Sequence, residues 1–96
     1  MKNLLLLISI AGCTQNPQVT NPTYRNDVYT VLSTYCASCH GPNSVNGNWL
    51  DYATTISKSK EILDRVYVRR DMPLGQFMPD SSRQLIKNWI EQGCVE

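Results

Sequence analysis

Apolar positions recur along this chain in steps of three and four residues, in three separate stretches. In "YRNDVYTVLSTYCASCH" the residues Val28, Val31, Leu32 and Tyr35 stand at i, i+3, i+4 and i+7, one face of an amphipathic helix. Asn26 or Asp27 is suited to cap its start, and its end delivers Cys36. The stretch "GPNSVNGN" that follows is built from Gly, Pro, Asn and other turn formers, and predicts a loop up to Trp49. Periodicity resumes from Asp51 to about Val68, as one helix or two, with Ile62, Leu63, Val66 and Tyr67 on an apolar stripe and Lys60, Glu61, Asp64 and Arg65 off it. "RRDMPLGQFMP" then breaks the pattern with two prolines and a glycine, leaving an extended loop that carries Met72, Phe77 and Met78.

The last helix is the most fully signalled. Ser81 and Gln84 match a capping box, Pro79 precedes it, Leu85, Ile86, Trp89 and Ile90 form its stripe, and Gly93 stands where a left-handed cap would close it. No alternation of strand length appears, so the fold class expected is all-α.

The first residues follow a different pattern. After Met1, Lys2 and Asn3 comes the apolar run "LLLLISI", then Ala11, Gly12 and Cys13. A basic start, a short apolar core and small residues before a cleavage point describe a secretory signal over residues 1–12, too short to span a bilayer. "IAGC" also resembles the lipobox of bacterial lipoproteins, a resemblance that implies cleavage before Cys13, lipidation of Cys13 and a membrane anchor. An ordinary cleaved signal with Cys13 incidental is the alternative. Residues 13–23 turn to Thr, Gln, Asn and Pro, the composition of a flexible tether, which leaves residues 24–96 as one domain. At that size an apolar core supplies only about 3–5 kcal/mol, so a staple, metal or cofactor is expected to complete it.

Charge narrows the partners. Nine Lys and Arg against eight Asp and Glu, mixed along the chain, leave no basic stripe, so nucleic acid is not an expected partner.

The chemistry concentrates in "CASCH", residues 36–40, which holds two of the four cysteines and the only histidine. In an exported protein a Cys-x-x-Cys-His run indicates covalent attachment of a c-type haem. On a helical turn, positions i, i+3 and i+4 lie together. Cys36 and Cys39 can then form thioethers to the two vinyl groups on one porphyrin edge, and His40 is aimed at the iron as proximal ligand. Competing readings are a thioredoxin-like redox pair, which normally sits beside a βαβ pattern not visible here, and structural zinc on Cys36, Cys39, His40 and Cys94. Zinc is disfavoured because adjacent helical residues point about 100° apart.

With "CASCHG" at 36–41, "MPLG" at 72–75 and "RQLIKNWIEQG" at 83–93, the chain resembles the small bacterial class I cytochromes c over roughly Val28 to Gly93. The resemblance implies a cytochrome c-like fold of three to five helices around one covalent haem, with the first and last helices packed across each other. It implies a methionine sulfur from the loop before the last helix as distal iron ligand. Met72 precedes Pro73 and matches the family position relative to Trp89. Met78 precedes Pro79, is the alternative ligand, and is also suited to staple the last helix.

Cys94 departs from the family pattern, which has a small residue there, and is expected as a free thiol or an intermolecular disulfide. Tyr35, Trp49 and Trp89 read as core, with a haem propionate within possible reach of Trp49. The free nitrogen of His40 is expected to donate to a carbonyl in the 41–50 loop. The implied function is that of an electron carrier rather than an enzyme, passing single electrons between redox partner proteins in the periplasm or at the membrane surface. It would act as a monomer or as a subunit of a respiratory complex. The rivals are a haem-based small-ligand sensor or binder, and a thiol–disulfide oxidoreductase without haem.

Overall fold

The computed structural model describes residues 20–96, and Cys13 with the expected signal segment lies outside them. Within these residues the chain is all-α, with four helices and no strand among the described residues. Helix α1 opens with a wide i→i+5 turn over Tyr24–Val28 and continues as a regular α-helix over Tyr29–Tyr35.

Its cap is Thr23, not Asn26 or Asp27: the Thr23 hydroxyl accepts the Asn26 N–H at 3.1 Å, and the Asp27 carboxylate accepts the Thr23 N–H at 2.9 Å. That is a reciprocal capping pair with one extra residue between its members, because the first turn is wide. Residues 20–23, on the expected tether, also touch the domain. Pro22 is fully buried, and the Thr20 carbonyl accepts from Gln92 Nε2 at 2.7 Å.

The middle of the chain forms two helices. Asp51 caps α2, Tyr52–Ser57, by accepting the Thr54 N–H at 3.0 Å. The chain bends at Lys58, and α3 runs over Ser59–Leu63 and on through a second wide turn, Asp64–Val68. Ile62 and Val66 of the expected stripe are buried, with Leu63 and Tyr67 half-buried beside them.

Helix α4, Asp80–Glu91, packs against the first turn of α1 and against the whole of α3. The expected Ser81–Gln84 capping box does not form, since the helix starts two residues earlier than that box requires, with Pro79 at its cap position and no side chain capping it. Its C-terminus closes as expected. Gly93 has φ +100°, its N–H reaches the Ile90 carbonyl at 3.2 Å, and the Cys94 N–H reaches the Trp89 carbonyl at 2.9 Å. These are the two bonds of a Schellman motif, which needs the left-handed residue that glycine supplies without a Cβ penalty.

Trp89, Leu32, Met78, Ile86 and Val28 are fully buried around these contacts. Each large apolar side chain so buried contributes roughly 1.5–3 kcal/mol relative to exposure. The core therefore sits where α4 meets α1 and α3, and a cavity remains between the end of α1, the loop after it, and α3.

Candidate cofactor site

"CASCH" forms a single closed turn at the end of α1. Cys36 donates its N–H to the Leu32 carbonyl at 2.9 Å, and its own carbonyl accepts from Cys39 at 3.1 Å and His40 at 2.8 Å. One turn thus carries both thiols and the imidazole. Gly41 is required directly after it: a Cβ there would stand 2.6 Å from the Ala37 carbonyl oxygen, a contact no side chain tolerates.

The loop from Gly41 to Leu50 orients His40 from two directions. Nδ1 lies 3.1 Å from the Asn46 carbonyl oxygen, which can only accept, so Nδ1 is the donor there and, in the neutral ring, Nε2 is the nitrogen with the free lone pair. The ring also stacks on Trp49, with centroids 4.6 Å apart and planes 11° apart.

Trp49 is itself fixed. Its N–H donates to the His40 carbonyl at 2.7 Å, and its carbonyl accepts from the hydroxyls of Tyr24 at 2.7 Å and Thr55 at 2.9 Å. Burial raises the Tyr24 phenol above its ordinary range, which keeps it protonated and donating. Gly47, at φ +103°, lets the chain turn under the indole; a Cβ there would meet the Trp49 ring at 2.8 Å.

The opposite wall comes from α3 and the loop after it. A cavity of about 450 Å³ is lined by Cys36, Cys39 and His40 on one side and by Ile62, Val66 and Met72 on the other. That volume lies within the roughly 300–1,000 Å³ common for cofactor sites. Met72 is half-buried and both of its backbone polar groups are bonded: the N–H to the Arg65 carbonyl at 3.3 Å, the carbonyl to Arg83 Nη1 at 2.8 Å. The loop is pinned further by Arg65 to Asp71 at 2.8 Å and by Arg70 to Asp80 at 2.7 Å.

Met78 and Cys94 stand apart from this group. Met78 is 2% exposed, packed in the core, and does not line the cavity. Cys94 is buried at the cap of α4, where its carbonyl accepts from Tyr52 at 2.6 Å. Cys36, Cys39 and Cys94 are all free thiols, and among the described residues no three His, Cys, Asp or Glu side chains gather as a metal site. Arg69 and Arg70 pair with Asp64 and Asp80.

Burial pushes the Cys36 thiol up to about 11. The carbonyl expected in the 41–50 loop as the partner of the free His40 nitrogen is that of Asn46, a position the sequence did not single out; the stacking role of Trp49 and the part played by Arg83 were not foreseen from sequence. The "NGN" turn was the one visible hint for Asn46 and Trp49. Comparison of the chain with family models, with curated proteins and with solved structures finds no match in any of the three.

Proposed function

We propose that this cavity takes one haem, which Cys36 and Cys39 would hold covalently and His40 Nε2 and the Met72 thioether would hold through its iron, in an exported protein that carries single electrons. The observation that carries the reading is the shared cavity. Two thiols and an imidazole on one turn face a thioether from a loop more than thirty residues further along the chain, across a largely apolar gap. When bound, the haem iron supplies a one-electron couple between Fe(II) and Fe(III).

The chain's own residues supply the rest. Asn46 fixes the tautomer of His40 and makes the imidazole a better donor. Trp49 fixes its plane. Leu32, Ile62 and Val66 give the cavity apolar walls. If His40 and Met72 both held the iron they would leave no position for a substrate, which favours a carrier over an enzyme. Exposed Leu74 and Phe77, at 74% and 80%, give a transient redox partner an apolar foothold beside the site.

The thiol–disulfide alternative fits less well. A catalytic thiol works as its thiolate, which a depressed pKa favours, whereas Cys36 is buried and pushed up to about 11.

The reading extends to a lipid anchor on Cys13, and substituting Cys13→Ala is expected to move the exported protein from the membrane to the soluble fraction. The central test is the mass and visible spectrum of protein from a host that matures c-type cytochromes. One haem retained through denaturation supports the proposal, and a colourless, unmodified chain removes it.

A further inference from the structure

Arg83 sits in the first turn of α4 and is half-buried, yet among the described residues no carboxylate pairs with it. Its guanidinium is spent on the backbone. Nη1 donates to the Val66 carbonyl at 2.7 Å and to the Met72 carbonyl at 2.8 Å. Val66 lies in the last turn of α3, where carbonyls have no partner further along the helix. One cation therefore joins the start of α4, the end of α3 and the loop residue that faces His40 across the cavity.

Met72 has few backbone alternatives left. Its N–H is held by the Arg65 carbonyl and its own carbonyl by Arg83, so the side chain is the part free to project. The rest of the loop is more exposed: Leu74, Gly75, Gln76 and Phe77 all lie open to solvent. Beside this exposed run Arg83 Nη1 holds Met72 itself, and the Arg65–Asp71 and Arg70–Asp80 pairs pin the loop as well.

We infer that Arg83 is the positioning residue for the distal iron ligand, a role that rests on the haem reading above: by clamping the Met72 carbonyl to the end of α3 it holds the thioether on the iron. Without the clamp, Met72 gives way more easily to an outside ligand. A purely structural arginine would affect melting and nothing at the iron.

The test uses the mature haem protein with Arg83→Met, which keeps the aliphatic stem and removes the donors, and Arg83→Lys, which keeps a cationic donor. Three quantities are read: the long-wavelength absorption band of iron bound to methionine sulfur, the reduction potential, and the affinity for added imidazole. Arg83→Met is expected to weaken the band, lower the potential and tighten imidazole binding by about tenfold, the change that loss of one charge-assisted hydrogen bond produces. Arg83→Lys is expected to restore all three toward wild type. Should Arg83→Met fail to accumulate, Arg83→Gln, which removes the cation and shortens the donor, carries the same measurement.

The inference is overturned if band, potential and imidazole affinity stay at wild-type values, or if the lysine and methionine variants behave alike. A wild-type protein with covalent haem and no iron–methionine band also overturns it, while leaving the haem reading standing. A wild-type chain without haem removes both.

Discussion

The imidazole of His40 lies flat against the indole of Trp49, centroids 4.6 Å apart and planes within 11° of parallel. Trp49 is held in turn by hydrogen bonds at both its N–H and its carbonyl. The histidine's orientation is thus set by a residue nine positions away in sequence and anchored to α1 and α2 through Tyr24 and Thr55.

Truncating that support has two readable consequences. Trp49→Ala removes a large buried side chain and is expected to cost about 3–5 kcal/mol of stability. Trp49→Phe retains an aromatic face against His40 and is expected to cost less and to leave the visible spectrum close to wild type. Chemical denaturation followed by absorption and by circular dichroism measures both effects.

The two loop methionines should separate cleanly. Met72 lines the cavity, so Met72→Ala is expected to abolish the iron–methionine band, lower the potential and open a position for added ligands, with little change in folding. Met78 is 2% exposed in the core, so Met78→Ala is expected to cost about 2–5 kcal/mol and leave the spectrum unchanged. The reverse pattern would assign the ligand to Met78, and a Met72→Ala protein with unaltered ligand binding would favour a sensor or binder.

Acid should loosen the Met72 loop through Asp71. Its hydrogen bond to Arg65 holds the Asp71 carboxyl below the usual carboxylate range. A carboxyl depressed in the folded state adds stability that is present above its unfolded value, about 3.9, and lost as pH falls through the folded one. Asp71→Asn is therefore expected to be less stable than wild type near neutral pH. The gap should close as pH drops below that range, and denaturation at pH 6 and at pH 3 measures it. Salt should shrink the neutral-pH difference, because the pair is exposed.

Much of the helical frame was legible because helices are local. The 3.6-residue stripe of α4, its Gly93 cap and the clustering of Cys36, Cys39 and His40 on one turn all follow from residues a few positions apart. The start of α1 was misread because its first turn is wide. That shifts the Thr23–Asp27 capping pair to a spacing of four, where a search for a spacing of three does not find it.

Ser81 failed as a cap for a different reason: the cap position falls two residues earlier, at Pro79. The His40–Trp49 stack depends on a positive φ at Gly47, and the Arg83 clamp depends on carbonyls, which every residue has. The first leaves only the "NGN" turn as a trace in the sequence, and the second leaves none.

The covalent bond itself is the feature most open to direct measurement. Trypsin releases residues 26–58 as one peptide containing the whole "CASCH" turn, since no Lys or Arg lies between Arg25 and Lys58. From protein exported by a host that matures c-type cytochromes, this peptide is expected to be heavier by one haem, with Cys36 and Cys39 both closed to alkylation. The same peptide at its unmodified mass, with both thiols free to react, would rule out the haem and the electron-carrier function built on it.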